Sequence, residues 1–164
     1  MYRLVILSIL AVTALAADLE KKDCVRMFHP HSVHCCKRSA DMKEKHMKGD
    51  IKECFQLPKD PVACEHEVCI AKKKGFATDD GKLDKTKLEE SLTNDLEDKD
   101  LLADLKKYCL DGDLESYGNP EFCDFMKMRH CSAMQILNHC TEWNEFHDCS
   151  LLKESVADCV KLFS

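Results

Sequence analysis

Glycine and proline are scarce, at five and four residues in a chain of 164. Alternating runs of β-branched residues, the signature of a half-buried strand, are missing. These absences exclude a sandwich or barrel made of many short strands and tight turns. After the first sixteen residues no apolar run approaches the roughly twenty needed to span a membrane. Positive charge is not in excess. The formal net charge is −6, so the chain has little electrostatic reason to seek nucleic acid or anionic lipid. Phosphate-cradling glycine loops and the G-x-S-x-G elbow are absent too. Asn119 precedes a proline, and no N-x-S/T acceptor occurs elsewhere. Nothing in the chain requires an enzyme or a cofactor.

What is present starts with a targeting grammar. Met1, Tyr2 and Arg3 make a short basic start, and residues 4–16 are apolar apart from Ser8 and Thr13. Ala14, Leu15 and Ala16 place small residues where a signal peptidase reads them. The expectation is a signal peptide over 1–16 and a single secreted domain over 17–164. Removing Arg3 takes the formal charge to −7. All twelve cysteines follow the signal: Cys24, Cys35, Cys36, Cys54, Cys64, Cys69, Cys109, Cys123, Cys131, Cys140, Cys149 and Cys159. An even number in an oxidising compartment predicts a disulfide framework rather than thiolate ligands or nucleophiles. Counting leaves the connectivity open.

Charged residues, a third of the chain, are interleaved with Leu, Met and Ala, which is helical material. The pattern predicts helices over 18–28, 35–47, 62–74, from 84 onward, over 101–109, 122–139, 142–149 and 151–163. Residues 50–55 form a brief element. Asp60 and Pro61 supply a helix start, and Gly75 a stop after three lysines. Residues 78–81 are a turn, and 111–120 a loop. Leu88, Leu92 and Leu96 make one apolar stripe. The fold expected is all-α.

Several site motifs fail by one residue. The segment His66-Glu67-Val68-Cys69-Ile70 is H-E-x-x followed by isoleucine, so the second zinc ligand one helical turn away is missing. Asp79, Asp80, Gly81 and Asp84 lack the alternating oxygen ligands of a calcium loop, and a turn with a helix cap explains them. The Cys35–Cys36 pair is followed by Ser39, not by the histidine of a secreted phospholipase A2. His29, His31 and His34 cluster as a solvated loop, and no metal site is assigned.

The cysteine spacing carries more. Between Cys36 and Cys64 lie 27 residues, between Cys64 and Cys69 four, and between Cys69 and Cys109 thirty-nine. Eight separate Cys131 from Cys140, and eight Cys140 from Cys149. The run Cys69-Ile70-Ala71-Lys72 into Lys74-Gly75-Phe76, then Asp80-Gly81-Lys82-Leu83-Asp84, resembles a helix, turn and helix start of insect odorant-binding proteins. The Cys35-Cys36-Lys37 doublet and the late cysteines resemble their twelve-cysteine "Plus-C" subfamily. Four residues between Cys64 and Cys69, where the family has three, and Ser150, where the subfamily has proline, are departures.

The resemblance implies a compact disulfide-linked bundle of about six to eight helices around an apolar cavity, with an extra C-terminal helical extension. It implies bridges Cys36–Cys69, Cys64–Cys131 and Cys109–Cys140, with Cys35 able to replace Cys36. The other six cysteines, Cys24, Cys35, Cys54, Cys123, Cys149 and Cys159, would pair among themselves. The function implied is a secreted carrier of small apolar ligands such as odorants or pheromones. Its partners would be that ligand and a chemosensory receptor, with the chain a monomer or homodimer. Candidate pocket residues are Leu105, Phe122, Phe125, Met126, Met134, Leu137, Trp143 and Phe146. Members of the family are thought to release ligand on acidification. Protonation of His130 or His139, each beside a cysteine, is the candidate switch between about pH 7 and pH 5. The rival is a secreted helical scaffold or inhibitor that works through its surface.

Overall fold

The computed structural model describes residues 20–37 and 51–163. The signal peptide and most of the helix expected over 35–47 lie outside them. Within them the protein is all-α, and every cysteine is bridged. Six α-helices organise the described residues: α1 (Lys21–Met27), α2 (Glu65–Lys74), α3 (Lys85–Asp95), α4 (Lys99–Asp104), α5 (Asp124–Asn138) and α6 (His147–Leu162). Single-turn pieces link them, among them 3₁₀ turns at Pro30–Cys35 and Lys52–Gln56 and a π-helical turn at Leu105–Leu110 that continues α4.

Local chemistry sets most helix ends. Asp84 caps α3 by accepting the Lys87 N–H at 3.0 Å. Gly75, at φ 81°, closes α2 with its N–H on the Ala71 and Lys72 carbonyls. The Asp60 carboxylate accepts the N–H groups of Val62 and Ala63 at 2.7 and 3.0 Å, which holds its carboxyl below the usual range. That makes a turn rather than the expected helix start, because Cys64 follows in the left-handed region at φ 54° and α2 begins only at Glu65. The helix expected over 142–149 is not formed. Its first residues pair with residues 35–37 in a short bridge: Cys36 opposes Trp143, Asn144 donates to the Cys35 carbonyl at 2.8 Å, and Lys37 donates to that of Glu142 at 2.9 Å. Residues 147–149 join the last helix instead.

α5 is the central element. It packs against the Pro30–Cys35 turn, the π turn and α6, and buries Phe125, Met128, Cys131, Met134 and Leu137. α6 also packs on α1.

The bridges are Cys24–Cys159, Cys35–Cys149, Cys36–Cys140, Cys54–Cys69, Cys64–Cys123 and Cys109–Cys131. This corrects the three implied pairs. Cys36 meets Cys140 because the 35–37 bridge runs alongside residues 142–144. Cys69 on α2 packs over the Lys52–Gln56 turn and so meets Cys54. Cys64 meets Cys123, whose N–H bonds the Pro61 carbonyl at 3.0 Å. Cys131 faces the π turn that carries Cys109. One feature of the implied pattern recurs on a shifted set. In the ordered series Cys54, Cys64, Cys69, Cys109, Cys123, Cys131, the first joins the third, the second the fifth and the fourth the sixth. The remaining three bridges are nested, Cys24–Cys159 outside Cys35–Cys149 outside Cys36–Cys140.

Candidate ligand-binding site

α2, α3 and α5 meet around an apolar groove of about 450 Å³. α2 supplies Ile70, α3 supplies Leu88 and Leu92, and α5 supplies Phe125, Met128 and Ile136. Phe76 and Leu83, either side of the 78–81 turn, also line it, as does Phe55, whose side chain is partly exposed to solvent. The volume falls in the range of about 300–1,000 Å³ usual for small-ligand sites.

A second, wider cleft of about 850 Å³ lies beside it, between α1, the 59–61 loop, residues 116–122 and α5. Its character differs. Lys22, Arg26, Lys59 and Arg129 line it with His29, His31, His66 and His130, against one carboxylate, Glu67.

The two hollows share four residues: Pro30, His66, Glu67 and Arg129. His66 and Glu67 are 6 % and 8 % exposed. The Glu67 carboxylate accepts from Arg129 at 2.7 Å and from His66 Nδ1 at 3.1 Å. His66 Nε2 and Glu67 Oε2 find no hydrogen-bond partner among the described residues. Unpaired buried polar atoms are uncommon and destabilising.

His130 lines the cleft, with Phe122 beside its ring at 6.1 Å. Burial, and secondarily the positive charge of His29, lower its pKa to about 4, against a hydrogen bond to the Val25 backbone that raises it. His130 therefore stays mostly neutral down to pH 5. His139 lies outside both hollows, its Nε2 bonded to Asp104 at 2.8 Å. Burial thus works against the protonation expected of His130 between about pH 7 and 5.

Of the residues named from sequence, Phe125 lines the groove, and Phe122 and Met126 line the cleft. The other five line neither. Leu105, Met134 and Leu137 lie in the core, because that side of α5 packs on the π turn. Trp143 packs at the core's edge and donates its indole N–H to the Cys140 carbonyl at 3.1 Å. Phe146 is 62 % exposed next to His34. Sequence reasoning missed Ile70, Met128, Ile136 and the His66–Glu67 pair. Leu88 and Leu92 were visible as the stripe on α3. Among the described residues, His34, Cys35 and Cys149 lie close enough to suggest a metal site, but both sulfurs belong to one disulfide and offer no thiolate.

Comparison with known proteins returned no matching family model, no matching curated protein and no matching solved structure. Six disulfides fit an oxidising, extracellular setting. No helix among the described residues is long and apolar enough to cross a membrane.

Proposed function

We propose that the chain is a secreted carrier of small apolar molecules, held in the groove between α2, α3 and α5. The observation that carries this reading is the groove itself: a hollow of about 450 Å³, lined mainly by leucine, isoleucine, methionine and phenylalanine side chains, between three helices of which α2 and α5 carry disulfides. Burying a ligand's apolar surface there yields about 25 cal/mol per Å². The entropy lost on association leaves micromolar binding as the expectation for a small volatile. Methionine and aromatic walls adapt to ligands of varied shape.

The resemblance to insect odorant-binding proteins of the Plus-C type supports the same reading, as does the interleaved order of the three central bridges. A chemosensory receptor is then a candidate downstream partner, and no catalytic residue is assigned. The test is titration with a fluorescent apolar probe such as N-phenyl-1-naphthylamine. Saturable binding of one probe per chain, reversed by aliphatic competitors, is expected. Native mass spectrometry before and after organic extraction would report a ligand that co-purifies.

A surface scaffold is the rival, favoured by Phe55, Leu57, Val62, Phe146 and Leu151, which are exposed apolar side chains. It predicts no saturable probe binding, which is the result that would sink the carrier reading.

A further inference from the structure

We infer that groove and cleft form one site for an amphiphile, with an aliphatic chain in the groove and a carboxylate head in the cleft. The inference rests on the carrier reading and names its ligand class.

Continuity is the first ground. Pro30, His66, Glu67 and Arg129 face both hollows, so a ligand can lie across them without leaving the surface they share. Polarity changes at that line. On the groove side stand Ile70, Leu88, Leu92 and Ile136; on the cleft side stand Lys22, Arg26, Lys59 and the histidines.

Charge is the second ground. The chain as a whole is acidic at −6, yet the cleft gathers four Lys and Arg side chains against Glu67. The Glu67 charge is already met by Arg129 at 2.7 Å, and Lys22 bonds Glu20 at 2.7 Å. Arg26 and Lys59 face the cleft beyond those pairs. A local positive field in an acidic protein concentrates anions there. An ammonium head would meet these cations and be repelled.

The third ground is His66. It is more than nine-tenths buried, its Nδ1 is committed to Glu67, and its Nε2 has no partner among the described residues. It faces both hollows at the point where the ligand's polarity must change. That unpaired nitrogen is a buried polar atom lining both hollows, where a ligand's polar head can supply the partner it lacks.

The test uses the intact chain loaded with the fluorescent probe, and three competitors of equal chain length: dodecanoate, dodecanol and dodecylamine. Dodecanoate is expected to displace the probe at about a tenth of the dodecanol concentration, with dodecylamine weakest. Raising salt to about 0.5 M should narrow that gap, because the rim cations are exposed to solvent. The double variant Arg26→Gln, Lys59→Gln changes only exposed side chains, and circular dichroism would check its fold. It should weaken dodecanoate about fivefold, as two exposed charge contacts allow, and leave dodecanol within twofold. Equal potency of dodecanoate and dodecanol overturns the head-group inference and leaves the carrier reading standing. So does a variant that weakens all three competitors alike. Failure of all three to displace the probe overturns both.

Discussion

At the scale of single residues, buried polar groups set the pH behaviour. His130 titrates near 4 when folded, against an ordinary 6.5, chiefly because burial disfavours its charged form. Protons therefore bind the unfolded chain more readily between those values. Its contribution is fully present above about pH 6.5 and is lost as pH falls through the window to about 4. The expected outcome is a melting temperature that declines over this window, and a shallower decline in His130→Gln. Equal slopes for the two proteins would show that His130 does not supply the effect. Arg129→Ala makes a second case. It leaves the buried Glu67 carboxylate with His66 as its remaining partner. Because the Arg129 side chain is 43 % exposed, a loss of about 2 kcal/mol is expected by urea unfolding, below the full penalty for splitting a buried pair. The sequence could not show this cluster. His66 and Glu67 sit in what looks like a charged helix face, and their burial depends on α5, some sixty positions later in the chain (a separation of 62 for Glu67 and Arg129).

At the scale of elements, legibility followed the range of the cause. The cap at Asp84 and the stop at Gly75 are made by neighbours in sequence, so they could be named in advance. The extended stretch at 142–146 could not, since its partners are residues 35–37. The same limit governs α5. Its apolar residues point in nearly every direction, so periodicity could not divide those facing the groove from those facing the π turn. The structure makes the division, and it is testable. Ile136 is half-buried at the groove wall. Ile136→Trp should fill the groove, cut probe affinity at least about tenfold and leave the fold intact by circular dichroism. Unchanged affinity would move the binding site elsewhere. The π turn offers another case. A Cβ at Gly112 would collide with the Tyr108 backbone carbonyl, which cannot swing away as a side chain would. Gly112→Ala should therefore destabilise by about 1–3 kcal/mol, read from the urea midpoint at constant slope.

At the scale of the whole molecule the twelve cysteines divide the labour. The interleaved bridges staple residues 54–131, and most of the groove lies in that interval. The nested bridges clamp α1 and the Pro30–Cys35 turn to α6 and the stretch before it. None of the residues lining either hollow comes from α6, so the C-terminal helix braces the N-terminal segment and does not lid the groove. That segment does supply Lys22 and Arg26 to the cleft. Removing the outermost bridge should therefore separate two functions. With Cys35–Cys149 intact, the ring that Cys24–Cys159 closes shrinks to about twenty residues, and the chain-entropy model gives roughly 3 kcal/mol for its loss. The double variant Cys24→Ala, Cys159→Ala should lose about that much stability. It should also bind dodecanol as before, because the groove belongs to the interleaved half, while its preference for dodecanoate falls as α1 loosens and the Lys22 and Arg26 charges leave the cleft. Competition titrations with the two ligands at equal chain length would show it. Loss of dodecanol binding in parallel would mean that the two halves are one cooperative unit, and that the nested bridges hold the groove as well as the cleft.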